Sequence, residues 1–356
     1  MTLLQATHLL SDKSVEVQKM AYQFLHKSAK KRTEDIVIEA GVSSSDSDSI
    51  RPELPPELIA FLQHSIDEED PDAPPTFGYL LGWMSVFDLF MDAVSAQYNA
   101  GKYRTDSSFL QSLKVKIAYI NHLRDLEMIT SHFLPAAFRM FDLYAGIANA
   151  PKLDVWGIDE YHVSCTRWKS FCMNYTYRMV DYEEQNPLSV VLLCAHLYYR
   201  ALQTVPTLVR LWILECKDRK LSTAVTTYTS KYFSSVLIDA ELGRLAATGL
   251  GDEKMEVKIV PVHREVNATY TIDESQIRMG LKIPPDWPLH VIEVRGGKRV
   301  GVKEDRWKSW ISGVRQVVLT QVGPAAGVPV TPYLTHPAGQ RRGRARTVQK
   351  ECLCPL

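Results

Sequence analysis

The sequence predicts a protein of two parts, a solenoid of stacked antiparallel α-helices followed by a small α+β domain. Up to about residue 245, apolar residues recur mainly at spacings of three and four, which is the helical period. After Gly249, short runs alternate between apolar and polar residues, which is typical of half-buried strands. The length of 356 residues agrees with this division, since a domain takes about 150 residues.

The first part, residues 1–248, is predicted to be a HEAT- or armadillo-like solenoid. Its helices follow one another without a strand-like alternation of useful length, and Pro135, Pro187 and Pro206 punctuate the run. HEAT and armadillo units take about 40 to 47 residues, which suits this succession. Because no clear internal repeat is visible, an irregular helical bundle is the alternative. The predicted helices cover residues 14–31, 77–98, 107–127, 131–148, 187–202 and 205–215.

An acidic segment, residues 42–76, interrupts the helical part. It contains nine acidic residues and one basic residue, Arg51, with a short apolar piece from Leu58 to His64 between two acidic runs. Serines beside acids suit acid-directed kinases, but a solvated surface loop is the simpler interpretation. We therefore predict a loop without a function of its own.

The second part, residues 249–321, is predicted to be a meander of strands beside a helix. The expected strands are 255–259, 266–272, 277–283 and 289–294, with residues 295–298 as a turn. The segment from Pro284 to Pro288 must leave the sheet, because proline donates no ladder hydrogen bond. Helical spacing returns from Lys303 to Gln321, where Trp307 and its apolar neighbours share one face. Residues 322–356, rich in proline, glycine and arginine, are predicted to be a disordered tail.

Charge and cysteine content exclude several classes of protein. The 41 Lys and Arg residues balance 41 Asp and Glu residues, which argues against a polycation that coats nucleic acid. The six cysteines form no CxxC pair, so we expect no metal. The first residues lack the basic and apolar pattern of a secretory signal, so we expect reduced thiols in the cytosol. No Ser-His-Asp or Cys-His arrangement lies in a recognisable catalytic motif. An unrelated hydrolase or transferase is therefore a weak alternative. Charged residues interrupt the two long apolar stretches, residues 77–96 and 188–214, so we expect no membrane contact.

The last third of the sequence resembles a known family. The order of the strands, the proline turn from Ile283 to Leu289 and the tryptophan-rich helix are similar to an RWD domain. More narrowly, residues 228–234, 264–273 and 297–307 are similar to the C-terminal region of the listerin family of RING-type E3 ubiquitin ligases. The resemblance covers roughly residues 190–321 and is weaker before them.

This resemblance implies a role in ribosome-associated quality control in the cytosol. Members of the family dock on the stalled large ribosomal subunit, with the RWD region beside the polypeptide exit tunnel. There they ubiquitinate aberrant nascent chains, which marks those chains for degradation. The implied partners are the large ribosomal subunit, the stalled nascent chain and a cofactor of the nuclear export mediator factor type.

The end of the sequence departs from the family pattern. In the family, a zinc-binding RING follows the RWD domain and recruits a ubiquitin-charged conjugating enzyme. Here Cys352, Cys354 and His336 cannot fill eight ligand positions, so we expect no RING, no bound cofactor and no catalytic residue in this chain. A conjugating enzyme would be a partner only if a RING were present. The alternative function is a non-catalytic scaffold or competitor that only binds the ribosome.

A cluster of basic residues is the best candidate for a binding site. Six positive charges lie between Arg295 and Lys308, against two acids, Glu304 and Asp305. Such a patch suits phosphate contacts without base specificity. A solvated turn of mixed charge is the alternative interpretation. The predicted ribosome-binding residues are Arg295, Lys298, Arg299, Lys303 and Arg306.

Overall fold

The structure is a computed structural model that describes residues 2–42, 54–64, 75–98, 118–153, 187–247, 255–272, 275–297 and 301–321. The predicted tail, 322–356, and most of the acidic segment lie outside these residues. The chain divides into two compact units, with the limit between Leu237 and Ile238. We call them the helical unit and the sheet unit and describe each by itself. The predicted boundary after residue 248 stays a prediction.

The helical unit is built from consecutive α-helices, as predicted. Single-turn π-helices precede α6 and follow α9, at Met128–Phe133 and Ser230–Ser234. The helix α10 contains the limit between the two units. The described α-helices are α1 (Leu3–Leu9), α2 (Val15–Val42), α3 (Pro56–His64), α4 (Phe77–Tyr98), α5 (118–125), α6 (Leu134–Met140), α7 (Pro187–Thr204), α8 (Pro206–Glu215), α9 (Arg219–Thr229) and α10 (Ser235–Ala247).

Local sequence signals place most of these helix ends. Thr2 and Gln5 form a capping box at α1, and Pro206 occupies the first turn of α8, where a missing N–H costs nothing. The predicted α4, α7 and α8 agree with the structure, whereas α2 continues past residue 31 to Val42. The apolar piece inside the acidic segment is not loop but helix α3, since Leu58 and Leu62 are buried.

The predicted helix over residues 131–148 is wrong in its second half. The helix α6 ends at Met140, and Asp142 takes a left-handed conformation with a φ of 50°. Phe141 and Leu143 are nevertheless buried, and the Leu143 N–H donates to the Phe138 carbonyl. The apolar spacing therefore reflects burial of a turn against the core rather than continued helix.

Aromatic side chains fill the core of the helical unit. Trp83 of α4 lies 5.0 Å from Phe133 between ring centroids, and both side chains are fully buried. Tyr198 of α7 packs edge-on against Phe138 and Phe233, at 5.6 and 5.1 Å. Such contacts bury large apolar areas, and they hold α4 and α7 at the centre of the unit.

A buried ionic cluster joins α2, α4 and α7 in the same core. Asp88 of α4 forms a salt bridge with Arg200 of α7, and both side chains are less than a tenth exposed. The Tyr22 hydroxyl donates to Asp88 Oδ2 over 2.7 Å, and His26 Nδ1 lies 2.8 Å from the same oxygen. Burial by itself raises the pKa of Asp88, but Arg200, His26 and Tyr22 together lower it to about 2. Asp88 is therefore held as a carboxylate inside the protein.

The sheet unit is a four-stranded antiparallel meander with the strand order β1-β2-β3-β4, and one helix, α11 (Glu304–Gln321), follows it. The inner face is apolar: Val266 lies opposite Leu281, which lies opposite Val294. The side chains of Trp307, Ile311, Val314 and Val318 form the buried face of α11, as predicted. The strands are β1 (Met255–Val260), β2 (Glu265–Ile272), β3 (Ser275–Lys282) and β4 (Glu293–Gly296).

The fourth strand begins later than predicted. The sequence indicated a strand over residues 289–294 followed by a turn, but β4 runs from Glu293 to Gly296. Residues 284–290 form consecutive turns instead, in which the Leu289 N–H donates to the Asp286 carbonyl. Trp287 and Leu289 are buried in this loop. Their apolar character reflects loop packing, which alternation alone does not distinguish from a strand.

Within the described ranges, we found no helix that combines the length and the apolar character needed to span a bilayer.

Candidate functional site

Strand β4 positions the first predicted site residue, Arg295, on the outer face of the sheet. Arg295 lies opposite Gly280 of β3, and a Cβ built at Gly280 would come within 3.9 Å of the Arg295 Cβ. The same built Cβ would lie 3.0 Å from the Asn267 side chain. Arg295, Gly280 and Asn267 therefore share one face, which the alternation of β-strands assigns as the polar face.

The neighbouring residue, Gly296, faces the opposite way. A Cβ at Gly296 would lie 3.1 Å from the ring of Trp307, the buried anchor of α11. The helix therefore packs on the inner face of the sheet, and Arg295 projects from the other side. Arg306 belongs to α11 and Lys303 directly precedes that helix, so the sheet separates Arg295 from the remaining described members of the predicted patch.

Two carboxylates neutralise Arg295 on the outer face. Its guanidinium lies 2.8 Å from a Glu293 oxygen and 3.4 Å from a Glu265 oxygen. These contacts raise the pKa of Arg295 and lower the pKa of Glu293, chiefly through the hydrogen bond between them. Glu265 also lies 3.9 Å from Lys282. Arg295 therefore belongs to a mixed-charge network instead of an isolated cationic patch.

Lys303 directly precedes α11 and Arg306 lies in its first turn, on the other side of the sheet from Arg295. Both side chains are exposed, and within the described residues neither lies within ion-pair distance of a carboxylate. The Arg306 guanidinium stands over the Trp310 ring, 5.3 Å from its centroid. Lys308, by contrast, pairs with Glu304 at 3.2 Å. Glu304 and Asp305 suit the first turn because they complement the helix dipole.

The remaining predicted residues, Lys298 and Arg299, lie outside the described residues. Of the predicted set, the structure thus brings together Lys303 and Arg306 and does not join Arg295 to them. The sequence did not predict the two partners of Arg295, which are Glu265 and Glu293. Glu293 could have been found from its spacing of two along one strand, whereas Glu265 becomes a neighbour only through strand pairing.

Other chemistry in the described residues is limited. We found no group of three His, Cys, Asp or Glu side chains among them that could hold a metal ion. The absence of a cofactor stays a prediction. Trp287 in the proline turn is 1% exposed, and its indole N–H has no hydrogen-bond partner among the described residues.

Comparison with known families divides the chain at nearly the same place as its fold. A family model described as "LTN1 family HEAT repeat region" matches residues 2–100 and 107–246. A second model, described as "Ubiquitin conjugating domain-like", matches residues 255–326. The first match confirms the predicted HEAT-like fold of the first part. The RWD-like fold of the second part is confirmed as well, because the four-stranded sheet with its helix agrees with a fold of the conjugating-domain type.

Several relatives carry the name E3 ubiquitin-protein ligase listerin. The chain is 27% identical to the one from Neurospora crassa over 87% of its own length, 31% to that from Saccharomyces cerevisiae over 58%, and 28% to that from Mus musculus over 66%. These alignments cover 18%, 13% and 12% of the three relatives. The chain therefore spans less than a fifth of their length.

Proposed function

Because this chain belongs to the listerin family of E3 ubiquitin ligases, we propose that it is a docking portion of such a ligase on the stalled large ribosomal subunit. Docking there would place the ligase so that aberrant nascent chains can be ubiquitinated for degradation. In this proposal the partners are the large subunit, the stalled nascent chain and a cofactor of the nuclear export mediator factor type, in the cytosol. The family match over most of the helical unit is the observation that carries it.

The chemistry of the sheet unit supports a positioning role. Ubiquitin-conjugating enzymes carry ubiquitin as a thioester, which requires a thiol. The sequence contains no cysteine between Cys216 and Cys352, so the conjugating-like segment cannot form that bond. Holding two reactants in place can by itself supply a large part of a rate enhancement. We therefore assign the segment a role in placement, and we assign ubiquitin transfer to the complete ligase as part of the proposal.

Two exposed cations at the start of α11, Lys303 directly before the helix and Arg306 in its first turn, are the contact that we propose for the ribosome. Lys303 and Arg306 are exposed and have no acidic partner among the described residues, so their charge is available to an RNA phosphate. Arg295 is excluded from the proposed contact, since Glu265 and Glu293 already compensate its charge. Lys298 and Arg299 complete the proposed set from outside the described residues.

Co-sedimentation with purified large ribosomal subunits tests this proposal. The Lys303→Glu/Arg306→Glu variant is expected to bind more weakly, with a salt dependence that is shallower by about two, one for each lost phosphate contact. A Lys258→Glu/Arg278→Glu variant is the matched control, because these exposed residues carry the same charge on the outer face of the sheet. Equal binding of the first variant and the unchanged chain across the salt series would refute the contact.

A second variant and a second assay sharpen the result. Lys298→Glu/Arg299→Glu tests the residues outside the described ranges, and we expect it to act in the same direction. Discharge of a ubiquitin-loaded conjugating enzyme by this chain would contradict the expectation that the chain alone is inactive. Binding without discharge would agree with a scaffold that only occupies the ribosome.

A further inference from the structure

A second group of exposed cations lies in the helical unit, at the corner between α8 and α9. Lys217, Arg219 and Lys220, here called the corner cations, are all exposed. Among the described residues no carboxylate lies within ion-pair distance of them, although Asp218 stands between them in the sequence. Three cations and one acid, Asp218, therefore occupy four consecutive positions, and the exposed Glu215 lies two residues before Lys217.

Asp218 is already engaged with the backbone. Its Oδ1 accepts hydrogen bonds from the Lys220 and Leu221 N–H groups, at 2.8 and 3.3 Å, and so caps α9. Two of the N–H groups at this helix end are thus satisfied. An anion that binds here would have to be held by the side chains of the corner cations.

The position of two of these cations opposes helix formation. Arg219 and Lys220 lie in the first turn of α9, where a cation costs about 0.3–1 kcal/mol against the helix dipole. The helices α2 and α11 have acids in the same turn, as the dipole favours. Helix stability therefore does not explain the corner cations, and their charge is available to an external anion.

The adjoining surface suits the phosphate backbone of a nucleic acid. From Arg219 to Ile238, twenty residues contain no Asp or Glu that would repel a phosphate chain. The exposed positions along α9 after the corner are Thr223 and Thr227, whose side chains are short and neutral. Their hydroxyls donate to backbone carbonyls of the same helix. The face thus offers positive charge at one end and no barrier along its length.

We propose that the corner cations bind the phosphate backbone of RNA. This surface belongs to the helical unit and is separate from the α11 contact of the sheet unit. The inference rests on the proposed function only in naming the RNA as ribosomal. The chemistry of recognition is the electrostatic, sequence-independent contact that lysine and arginine make with phosphates.

Fluorescence anisotropy of the full chain with a short labelled RNA duplex tests the inference. The Arg219→Glu/Lys220→Glu variant is expected to bind about tenfold more weakly, with a salt dependence that is shallower by about two. The same change replaces unfavourable cations by favourable acids in the first turn of α9, so the thermal stability should stay equal or rise. Weaker binding could then not be attributed to unfolding. A Lys13→Glu/Lys27→Glu variant gives the same change in net charge at exposed positions of the α1–α2 region and should bind nearly as the unchanged chain does.

Two outcomes would overturn the inference. One is an affinity and a salt dependence that the reversal at residues 219 and 220 leaves unchanged. The other concerns Leu214, which is 82% exposed beside the corner. If Leu214→Ala weakened binding as much as the charge reversal, the contact would be apolar and the surface would fit a protein segment instead. Failure here would show in the anisotropy of the α9 variant, whereas failure of ribosome docking would show in the sedimentation of the α11 variant.

Discussion

The two units place their charges differently. In the helical unit, the carboxylate of Asp88 is buried in the core with Arg200, while in the sheet unit the described ion pairs lie at the surface. The difference follows from how each unit is layered. Helix α4 packs against both α2 and α7, so a charge on it must find a partner inside. The outer face of the sheet reaches solvent, so its charges need none.

This difference predicts which kind of substitution lowers the stability of each unit most. A buried pair costs stability when one partner is removed, because the other charge is left without compensation. An exposed pair contributes little, since water and salt screen it. The helical unit should therefore be sensitive to loss of charge, and the sheet unit to loss of apolar fit between β4 and α11.

The largest expected effect is that of Asp88→Asn. The substitution keeps the shape of the side chain but removes the carboxylate that pairs with the buried Arg200, which should lower the free energy of unfolding of the helical unit by about 3–5 kcal/mol. Hydrogen exchange measured on peptides of α4 and α7 locates the loss. The matched surface change, Glu304→Gln, removes the exposed pair with Lys308 and should cost at most about 0.5 kcal/mol. Equal effects of the two variants would show that the buried pair contributes no more to stability than the exposed pair.

The next largest effect is expected for Gly78→Ala in α4. A Cβ at this position would lie 1.8 Å from the Leu10 carbonyl oxygen, so the backbone after α1 would have to move. We expect a loss of about 3 kcal/mol, the upper end for overpacking. The control is Gly82→Ala in the same helix, because the atoms nearest to its built Cβ belong to the side chains of Leu62 and Phe61 and not to backbone. Urea unfolding should show a smaller loss for Gly82→Ala, and a reversed order would refute the close approach.

The stability of the helical unit should depend on pH through the ionisation of Asp88. Its pKa is lowered from 3.8 to about 2 in the folded protein, so the carboxylate stabilises the fold fully above pH 4. That contribution, about 2 kcal/mol, is lost as the pH falls from about 4 to 2. Chemical unfolding at several pH values should show this loss in the unchanged chain and not in Asp88→Asn. An identical pH profile for both would exclude Asp88 as the source.

The smallest expected effect belongs to the sheet unit. Gly296→Ala would place a Cβ 3.1 Å from the Trp307 ring, so the helix must shift by a few tenths of an ångström. We expect a loss of about 1 kcal/mol, reported by the tryptophan fluorescence transition. Gly313→Ala in α11 is the counterpart, because nothing lies within 4 Å of its built Cβ. This change should raise stability by about 0.5–1 kcal/mol, and a loss would contradict the open space found there.

The sequence predicted the fold class better than the site. Hydrophobic period separated helices from strands correctly, because a helix or a strand that buries one face repeats its apolar residues locally. It failed where burial did not follow a regular element, as at Leu143 and Leu289, which pack into the core from turns. The prediction of the site failed for a different reason, because it assumed that six basic residues near one another in sequence are also neighbours in space. Strand β4 placed Arg295 on the side of the sheet opposite α11.

The sequence by itself determined the order of the two parts and the resemblance to the listerin family, since both depend on local patterns of residues. The tertiary structure decided which charges remain available. Arg295 meets Glu265, 30 residues away, only through the register of β2, β3 and β4. Asp88 meets Arg200 across 112 residues only because α4 packs against α7. Charge compensation depends on distances between elements, and a linear sequence does not contain those distances.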